Sequence, residues 1–538
     1  MGDEQPAPSG AESVETAPPA VVPQRAVARP FPLRLYTDPV TWATAVVAFG
    51  AYAAIGLFRL IELNPSSWDL SIYTEYVKQY ADLSAPIVNI RAPGFNLLGD
   101  HFQPIVAVLA PFFRVFPSSA TLVVGQALLA AASIFPVSQL AREKLGAGPA
   151  RAIAIAYAFS WGLQQLAQFD FHEIAFAVPL LAFSLSALAR GNTRAAVGWA
   201  LPLVFVKEDQ GFTVAAIGIY LIVAGLRAPL PDPKDPADPD GRGRMKAGQF
   251  LLIWGFAWSF VAIGVIIPHF SPGHLYQYWT DGGVLAPGGH PSVFGLVRQL
   301  FHAWPDKLQT LVMLLLPTAF IALRSPLLLI AAPSLLLRFI ATNSAFWGTY
   351  WHYNATVMPV IFVAAIDALA RIDAAMAADQ SNTDAGPAGP AGWAGWGSGR
   401  RGPWRAALAG ARRYGAAMMV AIAVPLAFQF PLNQLWNAQT YRISPHVAAA
   451  NAAMARVPDG ASVLTTLDLL APLAARTDTY WIGNGGNPRT QYIVFDGQDS
   501  DYNPAITNVP AYIAGLYPPG TYTEIYSSGD VYVFRLTR

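Results

Sequence analysis

The sequence predicts an all-α polytopic membrane protein of about eleven transmembrane helices, followed by a small α/β domain that lies outside the membrane. Hydrophobic residues make up 54% and charged residues 12% of the 538 positions, which leaves too few polar groups to cover a soluble globule of this size. Several apolar stretches reach the ~20 residues that cross a ~30 Å hydrocarbon core. After residue 431 the pattern changes to short strands and helices separated by turns, as in an α/β domain.

Composition also excludes several classes of function. The net charge of +1 and the scattered basic residues provide no groove-like patch for nucleic acid. The absence of cysteine excludes disulfides, thiolate catalysis and cysteine-ligated zinc. Residues 1–38 are rich in proline and alanine and lack the apolar region of a signal peptide. We therefore expect a disordered cytoplasmic tail, with the first span serving as an uncleaved anchor.

The orientation in the membrane is predicted from the basic residues. Lys and Arg gather in every second link between the apolar segments, such as the link that contains Arg142, Lys144 and Arg151. The positive-inside rule places these links in the cytoplasm. Two of them, 228–247 and 372–412, are longer and contain Pro- or Gly-rich stretches, so we expect cytoplasmic linkers there.

One apolar segment is expected not to cross the membrane. Phe102–Phe116 has only 15 residues and contains Arg114, and a crossing there would move every later basic link outside. We therefore expect it to re-enter or to lie on the outer surface. The transmembrane domain then covers 39–431, with a long first outer loop at 62–119 and an extracytoplasmic domain at 432–538. The N-terminus is inside, the C-terminus is outside, and the predicted spans lie near 39–61, 120–140, 150–168, 173–190, 194–207, 210–227, 248–268, 307–323, 325–341, 352–371 and 413–431.

The remaining links carry acidic and histidine motifs, which the topology places together on the outer face. These motifs are Trp68-Asp69, Gly99-Asp100-His101, Phe169-Asp170-Phe171-His172-Glu173, Lys207-Glu208-Asp209 and the single His352. Short links make neighbouring spans pack side by side. We therefore expect Asp69, Asp170 and Glu173 to converge although about 100 residues separate them.

The first outer loop is predicted to contain an amphipathic helix that lies in the membrane interface. One face of it combines tyrosines and small apolar residues, namely Tyr73, Tyr76, Val77, Tyr80 and Ala81, and the other face is polar. Asp69 stands at the start of this helix. Its carboxylate either caps the helix N-terminus or is held at the water–lipid boundary to take a proton, and the two roles are compatible.

Two further motifs allow a structural and a functional interpretation. The first motif contains oxygen and imidazole donors that suit a divalent cation, namely Asp170, His172 and Glu173. Alternatively, it is a solvated turn in which an acid caps the following helix. Lys207 offers a positive charge for a phosphate, positioned by Glu208 or Asp209, or forms a local salt bridge with these carboxylates, which contributes little if exposed. His101 is either a packed side chain or part of a binding site.

The same motifs carry a family resemblance. The runs WDLSIYTEYVKQYADLSAPIVNIRAPGFNLLGDHFQPIVAVLAPFFRVFP, FDFHEIAFAVPLLAF and LVFVKEDQG resemble a bacterial family of multi-pass membrane proteins catalogued as a domain of unknown function. The likeness covers roughly 40–370 and, more weakly, the outer domain. That family in turn resembles the GT-C-fold glycosyltransferases, which use polyprenyl-phosphate sugars.

The resemblance implies an inverting transfer of a sugar from a polyprenyl-phosphate donor to an outer-face acceptor. Asp69 matches the first acidic position of that fold and would be the catalytic base. Asp170 and Glu173 match the second position, and with His172 they would hold a divalent cation, Mg²⁺ or Mn²⁺. Substrate would be bound by four further residues: Lys207, Arg91, His101 and Glu208. The chain departs from the pattern, because Asp69 has no acidic neighbour and the second motif reads Asp-Phe-His-Glu.

Two other classes of function remain open at this level. A transporter or lipid flippase would place ionisable groups inside spans, and Arg59, Arg338 and Asp367 lie near the ends of predicted spans. A non-catalytic membrane scaffold is the third alternative. The expected partners are a polyprenyl-phosphate-linked sugar and the lipid bilayer, and no nucleic acid.

Overall fold

A computed structural model of the chain describes residues 2, 38–228, 238, 240–279, 293–384, 403–499, 501–502 and 506–537. The chain divides into two units, 1–37 and 38–538, and all but one residue of the first lie outside the described ranges. The predicted disordered tail and parts of both predicted cytoplasmic linkers therefore also lie outside the described residues. The following description concerns the second unit.

The described part of the second unit is mostly helical. Its α-helices, in chain order, are α1 Pro39–Ile61, α2 Asp69–Ala81, α3 Ala110–Val115, α4 Ser119–Ala132, α5 Ile134–Leu145, α6 Ala147–Ala158, α7 Trp161–Gln168, α8 Ala177–Ala189, α9 Thr193–Ala200, α10 Gln210–Leu226, α11 Arg242–Val261, α12 Ile267–Phe270, α13 Val293–Phe301, α14 Trp304–Leu315, α15 Ala332–Ile340, α16 Val357–Asp384, α17 Pro403–Gln429, α18 Pro445–Met454, α19 Leu467–Ala474 and α20 Val509–Leu516.

Five helical regions are long and apolar enough to cross a membrane: Pro39–Ile61, Ser119–Leu145, Arg242–Phe270, His352–Ala377 and Ala406–Gln429. Shorter apolar helices lie at Pro104–Val115, Glu173–Ala189, Thr193–Phe205, Gln210–Leu226 and Pro326–Ile340. A multi-span helical membrane protein is therefore found, whereas the count of eleven spans is not confirmed. Several predicted spans correspond to helices that are too short or too interrupted to satisfy the length expected of a full crossing.

Glycines set the packing of α10 against α11. Gly211, Gly218 and Gly225 recur every seven residues along α10 and face Gly255, Gly248 and Gly241 of the antiparallel partner. A Cβ atom on Gly211 would lie 2.2 Å from the carbonyl oxygen of Gly255, and one on Gly218 would lie 2.6 Å from that of Gly248. The missing side chains let the two backbones approach closely, as small residues do in membrane helix pairs. This contact fixes α10, which follows directly after Lys207-Glu208-Asp209.

The predicted amphipathic helix is present as α2, but its surroundings differ from the expectation. Tyr73, Tyr76 and Val77 are buried inside the protein, and so is Glu75 on the opposite face. The helix packs against α3, α4 and α19, so protein rather than lipid covers its tyrosines. Sequence periodicity shows that a helix has an apolar face but not what covers that face. The expected contact of Tyr73 and Tyr76 with lipid headgroups is therefore wrong, whereas the level of α2 relative to the membrane stays a prediction.

The predicted C-terminal α/β domain contains a five-stranded sheet. Its strands are β1 Ser462–Thr465, β2 Asp478–Trp481, β3 Tyr492–Asp496, β4 Tyr522–Ser528 and β5 Val531–Leu536. The order is β2-β1-β3-β5-β4. Strand β1 is parallel to β2 and β3, and β5 is antiparallel to β3 and β4. Gly529 and Asp530 both have positive φ angles, 55° and 63°, as in the two-residue hairpin turns that match strand twist.

The C-terminal domain is attached to the first outer loop by hydrogen bonds from side chains to carbonyl groups. The Lys78 ammonium donates to the carbonyl oxygens of Ala474 at 2.9 Å and Thr477 at 2.6 Å. Ala474 is the last residue of α19, where helix carbonyls lack partners within the helix, and Thr477 lies directly before β2. The Asn484 amide donates to the carbonyl oxygens of Ile90 and Arg91, each at 2.9 Å. Domain and loop therefore form one body.

Candidate active site

The acidic and histidine motifs line a single cavity of about 280 Å³. Several of them come from segments at helix boundaries: Asp69 begins α2, Asp209 precedes α10, and His352 lies a few residues before α16. The ionisable residues that line it are Asp69, Tyr73, Asp100, His101, His172, Glu173, Lys207, Glu208, Asp209, Tyr276, Tyr278, Arg338, His352 and Tyr353. The fold thus gathers residues that are more than 280 positions apart in sequence.

Asp69 faces the cavity with its side chain 34% exposed and is paired with His172. Its Oδ2 atom lies 3.4 Å from Nε2 of His172 and accepts a hydrogen bond from the Ser67 hydroxyl at 2.6 Å. Trp68 occupies the N-cap position of α2, without a side-chain capping bond. The interpretation of Asp69 as an N-cap is therefore wrong, and its carboxylate is directed to the cavity instead.

The hydrogen bonds of His172 assign its charge. Nδ1 lies 2.8 Å from the carbonyl oxygen of Phe169, and a carbonyl only accepts, so Nδ1 carries a hydrogen. Nε2 lies 3.4 Å from the Asp69 carboxylate, which also only accepts when ionised, so this geometry favours the imidazolium form of His172. Burial lowers the pKa of His172, but the bond to Asp69 and its charge outweigh this and raise the pKa above the ordinary value. Burial conversely raises the pKa of Asp69, and His172 outweighs it, so the net shift is downward.

The local fold holds His172 in place. The side-chain oxygen of Gln126 accepts a hydrogen bond from the backbone N–H of His172 at 3.0 Å. Its amide nitrogen donates to the carbonyl oxygens of Leu166, at 2.8 Å, and of Asp170. On its other side the imidazole stacks on His352, with ring centroids 3.5 Å apart and planes at 25°. Within the described residues, Nδ1 of His352 is buried without a hydrogen-bond partner. A neutral His352 against the charged His172 avoids repulsion between two stacked cations.

Lys207 forms a buried ion pair at the centre of the lining. Its ammonium nitrogen lies 3.0 Å from Oε1 of Glu173, whose side chain is 1% exposed, while the lysine side chain is 19% exposed. The Tyr73 hydroxyl donates to the other Glu173 oxygen. The exposed salt bridge considered from the sequence is thus wrong, because the partner is Glu173 rather than Glu208 and the pair is desolvated.

Glu208 pairs with His101. Its Oε1 atom lies 2.6 Å from Nδ1 of His101 and accepts the Tyr276 hydroxyl at 2.7 Å. Burial raises the pKa of Glu208, but the charge of and hydrogen bond from His101 outweigh this and lower the pKa to about 2. The His101 ring stacks on Tyr278 at 4.2 Å between centroids. These contacts of Glu208 and His101 hold the segment that contains Tyr276 and Tyr278 at the cavity.

Asp170 is one of two predicted site residues that do not line the cavity, the other being Arg91. Its carboxylate accepts the Ser66 backbone N–H at 2.8 Å and lies 3.9 Å from Nε of Arg59. The residue adopts a positive φ of 49°, which Asp tolerates better than most residues. Burial raises the pKa of Asp170 to about 6, against the opposing charge of Arg59. Asp170 therefore connects the turn before His172 to the loop before Asp69.

The predicted metal site does not match this geometry. Its three ligands point to different partners, because Asp170 pairs with Arg59, His172 with Asp69, and Glu173 with Lys207. Within the described part of the chain, no group of three or more acidic or histidine side chains is arranged to hold a metal ion. A divalent cation therefore stays a prediction without support from the donor set.

Arg91 lies at the edge of the site, outside the cavity lining. Its guanidinium lies 3.6 Å from Oδ1 of Asp100 and over the rings of Trp68, at 5.6 Å, and Phe95, at 5.3 Å. Trp68 lines the cavity and touches Trp481 of β2, with centroids 5.0 Å apart. Arg91 thus packs against Trp68 and Phe95 and does not line the cavity.

Sequence reasoning missed Arg338 as a site residue. It lines the cavity, is 8% exposed, and donates to the carbonyl of Phe346 at 2.6 Å and to Asn354 Oδ1 at 2.9 Å. No carboxylate lies in salt-bridge range of it among the described residues. A charge inside a predicted span was the available signal, since such groups mark functional sites. No role was assigned from the sequence to His352, Tyr276 or Tyr278, and Asp209 was considered only as a residue that positions Lys207.

The arrangement combines two chemical capacities in one space. Asp69 offers an ionised, partly exposed carboxylate that can accept a proton, and Lys207 and Arg338 offer positive charge that can stabilise an anion. Aromatic side chains such as Trp68 and Trp351 supply apolar wall, as in most small-molecule sites.

Comparison with solved structures shows the fold. The chain is similar to ArnT from Cupriavidus metallidurans bound to undecaprenyl phosphate, with a TM-score of 0.50 and 13% identity over 92% of this chain and 98% of that one. It is also similar to the Archaeoglobus fulgidus oligosaccharyltransferase tethered with an acceptor peptide, with a TM-score of 0.36 and 14% identity over 94% of this chain and 74% of that one. Both are GT-C-fold glycosyltransferases. At 13% identity the likeness to ArnT shows the fold alone.

Comparison with sequences shows the family. No curated protein sequence matches the chain. A family model described as "Predicted membrane protein (DUF2079)" matches residues 59–510, which include every residue that lines the cavity. The family expected from the sequence motifs is thereby confirmed, and the chain belongs to the DUF2079 family of predicted membrane proteins.

Proposed function

We propose that the protein is an inverting glycosyltransferase that moves a sugar from a polyprenyl-phosphate donor to a hydroxyl acceptor outside the cytoplasm. The observation that carries the proposal is the joint presence of the Asp69 carboxylate and the Lys207 and Arg338 cations in one cavity. The GT-C fold supports it, because the ArnT structure was obtained with undecaprenyl phosphate. Fold likeness alone would not be sufficient.

The proposed reaction is a single displacement. Asp69 accepts the proton of the acceptor hydroxyl while that oxygen forms a bond to the anomeric carbon. The bond from this carbon to the lipid phosphate breaks on the opposite side, and the phosphate oxygen keeps the electron pair. A phosphate leaves without protonation because its conjugate acid is strong, so the reaction needs a base and positive charge but no separate general acid. The anomeric configuration inverts.

Lys207 and Arg338 stabilise the phosphate in this scheme. In the absence of substrate the charge of Lys207 is paired with Glu173. The Arg338 guanidinium donates to neutral oxygens, so within the described residues its positive charge has no carboxylate partner at the cavity. Such fixed donors act strongly in a site that excludes water. No step uses a metal, since the donor set does not fit one.

The transporter alternative loses its sequence support in the structure. Arg59 pairs with Asp170 beside the outer motifs, and Arg338 lines the same cavity as Asp69. Asp367 accepts from Ser325 at 2.6 Å and pairs with Arg371. The charges therefore belong to one cavity or to local pairs, and do not follow a path between both faces.

The central test replaces Asp69 by Asn. Asp69→Asn keeps the shape of the side chain but removes its basicity, and we expect transfer to fall by about 10²-fold or more, the low end for loss of a general base. The matched control is Asp82→Asn, an exposed acid at the end of the same helix. The measurement is mass spectrometry of envelope glycans and polyprenyl-linked sugars in a deletion strain complemented at equal expression. Full complementation by Asp69→Asn would exclude the proposed role.

A further inference from the structure

We propose that a groove between α1 and α6 binds an acyl chain of an anionic phospholipid, with the lipid phosphate against Arg142 and Arg151. The groove has a volume of about 420 Å³, within the ~300–1,000 Å³ of ligand pockets. Its walls are mainly apolar and come from Pro39, Val40, Ala43, Thr44 and Val47 of α1, from Ile155 of α6 and from Phe159, the residue that follows α6. None of these residues belongs to the candidate active site.

One end of the groove is positively charged. Arg151 precedes Ile155 by one helical turn and Phe159 by two, so all three lie on the same face of the α6 segment. Arg151 donates to Asp38 Oδ1 through Nε at 3.0 Å and Nη2 at 2.8 Å. Arg142 Nη1 lies 3.4 Å from the same oxygen. Two guanidinium groups therefore share one carboxylate, and a net positive charge remains.

The arginines are available to a ligand. The side chains of Arg142 and Arg151 are 48% and 45% exposed, whereas that of Asp38 is 9% exposed. A guanidinium has five N–H donors, of which the contacts to Asp38 use only some. A phosphate accepts such donors in parallel pairs, so the headgroup of an anionic lipid complements this end.

The length of the groove fits one leaflet. From Arg151 to Phe159 an α-helix rises about 12 Å, which is close to half of a ~30 Å hydrocarbon core. The positive-inside prediction places the arginine end in the cytoplasmic leaflet, where anionic lipids are concentrated. A chain seated there would extend from the headgroup region towards the centre of the bilayer.

The test compares two neighbouring valines of α1. Val47 lines the groove and Val46 does not, although both are exposed to a similar extent, 59% and 62%. Native mass spectrometry of the purified full chain would count bound dioleoyl-phosphatidylglycerol and dioleoyl-phosphatidylcholine. We expect Val47→Trp to fill the groove and reduce bound phosphatidylglycerol about fivefold or more, while Val46→Trp matches the parent. Equal binding by the two variants would overturn the proposal.

The charged end has its own variant. Arg151→Gln should weaken phosphatidylglycerol binding about fivefold, the effect of one basic residue near a membrane surface. It should weaken phosphatidylcholine binding less, because the choline cation of that lipid offsets the attraction of its phosphate to the arginines. Inorganic phosphate should not compete, because the chain in the groove supplies much of the affinity. If Arg151→Gln lowers both lipids equally, or if phosphate displaces the lipid, the site is not an anionic phospholipid site. Should Val47→Trp fail to fold, Ala43→Leu fills the same groove with a smaller side chain.

Discussion

At the scale of single residues, the pairing of Asp69 with His172 decides how the candidate base behaves. An isolated carboxylate in a partly buried cavity would lose charge, because burial raises its pKa. The His172 imidazolium reverses that effect, so the pKa of Asp69 lies below its ordinary value. The candidate base is therefore ionised at neutral pH, and it is a weaker base than a carboxylate with the ordinary pKa.

Replacement of His172 tests this role through a pH profile. His172→Gln removes the cation that lowers the pKa of Asp69, so the pKa of Asp69 should rise. We expect the acid limb of the kcat/KM profile to move to higher pH, in addition to a lower rate. A merely structural contribution of His172 would lower the rate at every pH without moving that limb.

Asp170 gives a second prediction, on stability. Its folded-state pKa of about 6 lies above the unfolded value, so its contribution is fully present below about pH 4 and is lost as pH rises through 6. The shift corresponds to about 3 kcal/mol at most. Asp170→Asn mimics the protonated form, and thermal unfolding in detergent should show the variant gaining stability relative to the parent from pH 4.5 to pH 7.5. A metal-ligand role would instead make the parent, but not the variant, more stable on addition of Mn²⁺.

At the scale of elements, the glycine pairs between α10 and α11 connect packing to the site. Lys207, Glu208 and Asp209 directly precede α10, and the Glu208 carbonyl oxygen accepts the Ser259 hydroxyl of α11 at 2.6 Å. A change in the distance between these two helices would therefore move the Lys207 ammonium relative to Glu173.

A methyl group is enough to test that connection. Gly218→Ala places a Cβ 2.6 Å from a backbone carbonyl oxygen, whereas Gly50→Ala of α1 meets nothing within 4 Å. We expect Gly218→Ala to destabilise the fold by about 1–3 kcal/mol, as overpacking does, and to reduce transfer. Gly50→Ala should resemble the parent in thermal stability and in complementation. Equal stability and transfer of the two variants would mean that α10 and α11 can move apart without affecting the fold or the site.

At the scale of the whole molecule, orientation is the property that still depends on the basic links. Single cysteines can be placed in this cysteine-free chain. Ser527→Cys, in the exposed end of β4, should react with a membrane-impermeant thiol reagent in intact cells. Lys144→Cys, exposed at the end of α5, should react only after lysis. Reaction of Lys144→Cys in intact cells would indicate that Phe102–Phe116 crosses the membrane.

The sequence predicted the gathering of outer motifs but not their partners. Charge alternation and short links are local properties, and they are enough to place Asp69 and Glu173 in the same region. The choice of partner depends on distances across loops, so the pairs of Lys207 with Glu173 and of Glu208 with His101 could not be read from spacing. The burial of the α2 tyrosines was missed for a related reason, because Tyr73 contacts Phe171 and Glu173, about 100 residues away, and spacing does not show such contacts.

The internal pairing of the cavity has a consequence for recognition. Asp69, Glu173 and Glu208 each have a cationic partner supplied by the protein itself, whereas Arg338 contacts neutral oxygens within the described residues. An incoming anion can therefore bind Arg338 directly, but it must exchange with Glu173 to reach Lys207, and an acceptor hydroxyl must compete with His172 and Ser67 for Asp69. Only a ligand that brings both an anion for Lys207 and a hydroxyl for Asp69 makes the exchange favourable, so discrimination against partial substrates follows from the pairing itself.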